Sequence, residues 1–310
     1  GIRDQPRSRG LGDVYKRQDQ VLSYTPSILT QEQREYYFEN GFVSINNLVP
    51  EETLSQLQET TSDFVDASRK VTQSDEKFDV GDGHSAKNPI LRRLKIPDAQ
   101  SDIYWKFSKG LMADVATDIL GPNVVFHHSK LNFKWADKSD KVKWHQDIQF
   151  FPHTNYNVIT IGCYLADTNM NNGPLAALKG SHNGDLYDQY DAKGNWSGML
   201  SDKDAESVDM SRVEYMMGAA GSITIHNART LHFSPSSKSS KPRPLLLNCY
   251  TSADAKPYTA HPQPTKNSYK IVRGNRVKWA MHDPRPCQLP PDWSGGYSSI
   301  YASQSGEDKT

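Results

Sequence analysis

Trp144-His145-Gln146-Asp147 sets an imidazole and a carboxylate two residues apart. On an extended strand, alternate side chains share a face, so His145 and Asp147 would offer one nitrogen and one oxygen ligand to the same space. A histidine from a distant part of the chain would complete a 2-His-1-carboxylate triad. That set holds non-haem Fe(II) on one side and leaves three positions open. An H-x-D triplet alone carries little, because a single His or Asp is more often a satisfied structural polar group. The chemistry needs a third ligand and a grip on whatever fills the open positions.

The chain offers both. His226 ends an alternating stretch and His232 follows closely, and by spacing either could be the third ligand. Arg243, flanked by Pro242 and Pro244, opens an apolar strand. A guanidinium there could grip a carboxylate with a bidentate fork that lysine cannot match, and the Ser234 hydroxyl could share it. Gln149, Phe150 and Phe151 follow the metal strand directly and are candidates for substrate contact, with core packing as the alternative for the aromatic pair. His127, His128 and His153 could suggest a second metal, but they lack partner ligands in the sequence and read as core or pocket polar groups. Gln146 points away from its neighbours and reads as structural, as does His182 in a Gly-Ser-His turn.

These residues need elements to hold them. Thr30 and Gln33 form a capping box for a helix that stops at Asn40-Gly41. A short strand at 42–45 and a helix after Pro50 follow. Residues 90–96 read as a strand carrying Arg92, Arg93 and Lys95, and 101–120 as one helix. Residues 124–135 alternate, with Val124, Phe126, His128, Lys130, Asn132 and Lys134 on one face. Strands follow at 159–165, 175–178, 221–226 and 244–250. A polar excursion at 183–212 exceeds ordinary connections and has the length of a lid or binding loop, with 185–189 placed to close over substrate. After Thr251 the chain is rich in Pro, Gly and aromatics and should wrap the body irregularly. Helices first, then many short strands, signal a barrel or double-sheet roll with helices outside.

With 310 residues the chain suffices for one large domain or two small ones; no internal linker is sharp enough to divide it. Residues 1–18 are basic, have no apolar core segment, and read as an unstructured or artefactual leader, leaving 19–310 as a single domain. Lys+Arg and Asp+Glu both number 36, which gives no electrostatic footprint for nucleic acid or an anionic membrane. No apolar run reaches bilayer length. Cys163, Cys249 and Cys287 are odd in number and widely spaced, which fits a reducing, cytoplasmic compartment.

Together, Trp-His-Gln-Asp at 144–147, Asn-Asn-Gly-Pro-Leu at 171–175, Gly-Ser-His at 180–182, Leu-His-Phe-Ser at 231–234 and the proline-flanked Arg243 resemble the phytanoyl-CoA dioxygenase family over roughly residues 38–250. The resemblance implies a mainly β protein with helical cover, a double-stranded β-helix of the jelly-roll, cupin-like kind. It implies an Fe(II)- and 2-oxoglutarate-dependent oxygenase that uses O2 and releases succinate and CO2. It places the metal ligands on His145, Asp147 and His232, and the 2-oxoglutarate C5-carboxylate anchors on Arg243 and Ser234. More loosely, Lys95 resembles a cosubstrate-binding lysine, and Lys130, Asn132 and Tyr164 fall at pocket-lining positions. Halogenating relatives replace the metal-binding carboxylate with a small residue. Asp147 retains it, which favours hydroxylation or a related oxidation, with no catalytic residue beyond the metal ligands.

Two other classes compete. A non-catalytic metal- or ligand-binding module on the same fold would lack a ligand or an anchor. A zinc hydrolase would need a nearby general base and would leave Arg243 without a purpose. Dependence on 2-oxoglutarate separates them. The partner is a small-molecule substrate. An acyl-CoA would want a basic patch, yet Lys138, Lys141 and Lys143 alternate with Asp137 and Asp140 and read as a solvated loop. The balance favours a small polar or secondary metabolite. Oligomeric state leaves no signal in the sequence.

Overall fold

A computed structural model describes residues 12–135, 141–293 and 299–305. The N-terminal part supplies α1 (Gly12–Ser23), α2 (Gln31–Asn40), β1 (Phe42–Ile45), α3 (Glu51–Ser68), β2 (Phe78–Val80) and β3 (Leu91–Lys95). Three helices follow, α4 (Pro97–Gln100), α5 (Asp102–Lys109) and α6 (Leu111–Leu120). The strands of the body are β4 (Val124–Lys134), β5 (Val142–His145), β6 (Val158–Tyr164), β7 (Leu175–Leu178), β8 (Val213–Met216), β9 (Ile223–Asn227), β10 (His232–Ser234) and β11 (Arg243–Ser252). The short α7 (Asp202–Glu206) lies within the long excursion, and β12 (Ile271–Arg273) and α8 (Ile300–Ser305) come last.

Among the described residues, one antiparallel sheet runs β1-β9-β6-β11-β4-β3-β2 with β12 on β4, and a smaller one runs β5-β10-β7-β8. From β4 to β11 the chain passes repeatedly between the two sheets, which is the double-stranded β-helix. Strand alternation sets the layers. Leu131, Phe133, Ile159, Ile161, Cys163, Ile225, Leu246 and Tyr250 point outward and pack against Leu57, Tyr104, Phe107, Met112 and Val115 of α3, α5 and α6. The opposite faces of the same strands line the space between the sheets. None of the described helices is long and apolar enough to cross a membrane.

Several expectations are corrected. The helix expected over 101–120 is two helices, broken at Gly110, where an added Cβ would lie 2.7 Å from the Lys106 carbonyl oxygen. Residues 12–18, expected in a leader, belong to α1, and Arg17 pairs with Asp254 at 2.6 Å; residues 1–11 lie outside the described residues. Strict alternation along 124–135 fails at His127. Cys249 faces His128 and Tyr250 faces Phe126, so His127 is an extra residue, a β-bulge. The bulge turns Phe126 into the outer core with Leu131 and Phe133. It leaves the two consecutive residues His127 and His128 facing the same cavity.

Candidate active site

The strand β5 ends at His145, Gln146 remains extended, and Asp147 opens a one-turn 3-10 helix, so the pair sits at the strand's exit rather than within it. The same-face geometry survives. On the facing strand β10, His232 stands directly opposite His145. Asp147 Oδ1 lies 3.7 Å from His145 Nε2 and 3.8 Å from His232 Nε2. Each ring donates its Nδ1 proton to a main-chain carbonyl, His145 to Lys143 at 2.8 Å and His232 to Thr230 at 2.9 Å. Both Nε2 atoms therefore carry lone pairs. Two lone pairs and a carboxylate oxygen converge with no proton between them, an arrangement that a cation fits.

Protonation states agree with this. Burial pushes His145 down to about 4 and His232 well below the ordinary histidine value, so both rings are neutral. Burial alone would raise the Asp147 carboxyl. The Lys130 charge and the His226 hydrogen bond, with His232, outweigh it and hold the group well below the usual carboxylate range. Neutral imidazoles and an ionised carboxylate are what metal binding requires. The second oxygen, Oδ2, accepts from Thr160 Oγ1 at 2.9 Å and His226 Nε2 at 3.3 Å. His226 is thus a support for the carboxylate, and His232 joins His145 and Asp147 in the converging group.

A cavity of about 500 Å³ opens from this triad and reaches Arg243. Gly173 shapes its far end. Its φ of +73° is the left-handed region, and an added Cβ would lie 2.4 Å from the Pro235 carbonyl oxygen, so the turn needs glycine. Its carbonyl accepts from Ser234 Oγ at 3.0 Å and from Arg243 Nη2 at 3.0 Å. Arg243 Nη2 also approaches Ser234 Oγ at 3.5 Å. Among the described residues, no hydrogen-bond partner reaches the buried Arg243 Nε and Nη1. Two unmet donors of a buried cation call for an anionic acceptor, and a carboxylate matches the fork.

The sequence profile described as phytanoyl-CoA dioxygenase (PhyH) matches residues 37–245, about two thirds of the chain. The chain belongs to the phytanoyl-CoA dioxygenase family. This dioxygenase is 31% identical over 229 residues to a probable alpha-ketoglutarate-dependent hypophosphite dioxygenase of Stutzerimonas stutzeri, covering 73% of this chain and 80% of that one. It is 26% identical over 295 residues to the ectoine dioxygenase of Bordetella bronchiseptica, covering 84% and 91%. In fold it is similar to the crystal structure of EctD from S. alaskensis with bound Fe, with a TM-score of 0.61, 16% identity, and 86% and 89% of the two chains covered. The Stutzerimonas relative is named as alpha-ketoglutarate-dependent, and EctD has been solved with bound Fe and with 2-oxoglutarate. The converging triad and the unmet Arg243 donors fit those groups.

Other expected site residues of the dioxygenase divide. Lys130 and Asn132 line the Arg243 cavity, and so does Lys134, whose Nζ donates to the Ser234 carbonyl at 3.1 Å. Tyr164 lies behind the site. Its hydroxyl donates to the Met216 carbonyl at 2.8 Å and accepts from the Leu175 N–H at 3.1 Å. Lys95 sends its Nζ to the Asp75 carbonyl at 2.7 Å and lines neither cavity. Phe150 and Phe151 line a second cavity, of about 550 Å³, that shares Asp147 and Lys130 with the first. Gln149 does not; it is buried and donates to the Tyr187 carbonyl at 2.6 Å. The excursion 183–212 lines neither cavity, and 185–189 grips the back of the metal strand through Gln146, which bonds Asp185, Tyr187 and Arg229.

Sequence reasoning missed Arg93, His261, Trp293, Ile300 and Tyr301, which complete the cavity walls. Arg93 was visible only as one of three basic residues on a strand. The others lie in the C-terminal part, His261 and Trp293 in irregular chain and Ile300 and Tyr301 in the six-residue α8, too short for periodicity to distinguish a wall residue from a surface one. Of the three histidines considered for a second metal, all come together, with His153 edge-on against His127 at 5.2 Å between centroids, but the nitrogens that converge are those of His127, His128 and His261.

Proposed function

We propose that this dioxygenase hydroxylates a C–H bond of a small molecule: R–H + 2-oxoglutarate + O2 gives R–OH + succinate + CO2. The observation that carries the reading is one cavity with the His145-Asp147-His232 triad at one end and the unmet donors of buried Arg243 at the other. Iron supplies the activation of O2 and the decarboxylation of the cosubstrate. The chain's own residues position and exclude. Arg243, with Ser234 beside it, would bind the C5 carboxylate and so set the keto-acid end toward the triad. Leu245 and Leu247 wall the passage with apolar surface. Thr160 and His226 hold Asp147 Oδ2, which fixes the direction of Oδ1. The hypophosphite and ectoine enzymes among the relatives act on small molecules by name.

The test is succinate release by anaerobically prepared, Fe(II)-loaded protein given 2-oxoglutarate and O2, with the visible charge-transfer band of the Fe(II)–2-oxoglutarate complex read in the same sample. Asp147→Ala should abolish both. Arg243→Ala should raise the half-saturating 2-oxoglutarate concentration about 10- to 100-fold, the worth of a charged hydrogen-bonded pair, and Arg243→Lys should restore only part of it. If wild-type protein forms no band and releases no succinate, the proposal fails and a binding module takes its place.

A further inference from the structure

The large sheet carries one polar row across four strands. His226 on β9 stands opposite Thr160 on β6, Thr160 opposite Cys249 on β11, and Cys249 opposite His128 on β4. Directly opposed residues of antiparallel strands share a face, here the face turned to Asp147. The first two members hold Asp147 Oδ2. The row continues beyond them. Thr160 Oγ1 lies 3.2 Å from Cys249 Sγ, and Sγ lies 3.4 Å from His128 Nε2. His128 Nδ1 then meets Nδ1 of His127, the bulged residue, at 2.6 Å.

Proton counting sets the direction of this chain. A carboxylate that ligates a cation can only accept, so the single Thr160 hydroxyl proton goes to Asp147 Oδ2. Thr160 Oγ1 then offers Cys249 only lone pairs, and the S–H must donate to it. Burial pushes the Cys249 thiol up to about 12, so that proton is present. With its proton spent, Sγ accepts from His128 Nε2. Burial keeps both imidazoles neutral, so His128 Nδ1 is bare and His127 Nδ1 donates to it. Every donor points toward Asp147, and no two lone pairs meet.

We infer that Cys249 is a positioning residue for the metal centre: backed by His128, its S–H holds the Thr160 hydroxyl on Asp147 Oδ2 and ties the metal-binding carboxylate to the wall of the second cavity, where His127 and His128 stand. The inference rests on the reading of the triad as an iron site. A hydroxyl rotates to suit its neighbours. A donor seated on its lone pair removes that freedom, and accepting one bond strengthens the one it gives.

Two measurements test it. In metal-free protein the infrared S–H stretch of Cys249, assigned by its loss in Cys249→Ser, reads the direction of the chain. Thr160→Val should move the band toward that of a free thiol, and His128→Phe should move it less. The reverse order would mean that the thiol donates to His128 and would overturn the proposal. The second measurement is Fe(II) affinity by chelator competition. Cys249→Ala should lower it about 3- to 10-fold, less than the 10- to 100-fold of a direct partner, and Cys249→Ser, which keeps a donor and an acceptor, should restore most of it. In a Thr160→Val background Cys249→Ala should do nothing more, because the chain acts only through Thr160. Unchanged affinity in Cys249→Ala, or losses that add in the double variant, would overturn the proposal. So would a second bound metal ion that survives Asp147→Ala and is lost in His128→Phe, since both Nδ1 atoms would then offer lone pairs. If wild-type protein binds Fe(II) but forms no charge-transfer band with 2-oxoglutarate, the dioxygenase reading fails and these measurements still judge the chain. If it binds no Fe(II), both fall.

Discussion

At Asp147 the two carboxylate oxygens face different neighbours: Oδ1 looks toward His145 and His232, while Oδ2 is held by Thr160 and His226. The division would let one residue serve both as a metal ligand and as a fixed point. Thr160→Val keeps the shape of the side chain and removes the hydroxyl. We expect it to lower Fe(II) affinity about 10- to 100-fold, the usual worth of such a support, with little change in unfolding temperature. Competition against a calibrated chelator measures this, and unchanged affinity would mean that His226 suffices. The closeness of His145 to Asp147 and the place of Arg243 at the start of a strand were legible because they are local: a spacing of two on an extended chain, and an arginine fixed between prolines. His226 and His232 could not be separated by spacing, since the choice depends on which strand each occupies, β9 in the large sheet or β10 opposite His145.

Elements add what spacing cannot give. A bulge inserts one residue and leaves no compositional mark, so the alternation of β4 read correctly from His128 to Lys134 and reversed before it. The excursion 183–212 was legible as long and polar, but its role was not. It buttresses the metal strand: Gln146 bonds the Arg229 carbonyl at 2.7 Å, the Asp185 carbonyl at 3.1 Å and the Tyr187 N–H at 3.0 Å. Gln189 adds bonds to the Gln146 carbonyl and to Gln149 Oε1, both at 2.8 Å. Trp196 packs edge-on against Phe150 with centroids 5.2 Å apart. Gln146→Ala strips one buried and two part-buried hydrogen bonds from main-chain groups and should cost about 1–3 kcal/mol, read as a lower urea midpoint with faster proteolysis within 183–200. A midpoint unchanged within error would show that the aromatic contact alone secures the segment.

Over the whole molecule, burial of imidazoles ties stability to pH. Burial pushes His153, His182 and His261 each down to about 4, whereas in the unfolded chain they titrate near 6.5. Between those values the unfolded state binds more protons, so stability rises with pH. The contribution is fully present above about pH 6.5 and is lost as pH falls toward 4, at up to about 1.4 kcal/mol per pH unit for each ring. Denaturant midpoints of metal-free protein should therefore fall steeply from pH 6.5 to 4.5; a flat profile would mean that these rings carry protons in the folded state. The scale of the whole is also where sequence reading was weakest. Trp293, and Ile300 and Tyr301 at the start of the short α8, close the cavities from far along the chain, and only the folded chain brings them there.

The acceptors that orient His145 and His232 are main-chain carbonyls, those of Lys143 and Thr230. A codon change at Lys143 or Thr230 alters a side chain and leaves the carbonyl in place. The tautomer of both metal-facing rings is thereby shielded from most single-nucleotide variation. The carboxylate has no such shelter, because Thr160 and His226 reach it through side chains. In descendants of this gene, heritable tuning of the metal centre should therefore accumulate at 160 and 226 rather than at 143 and 230.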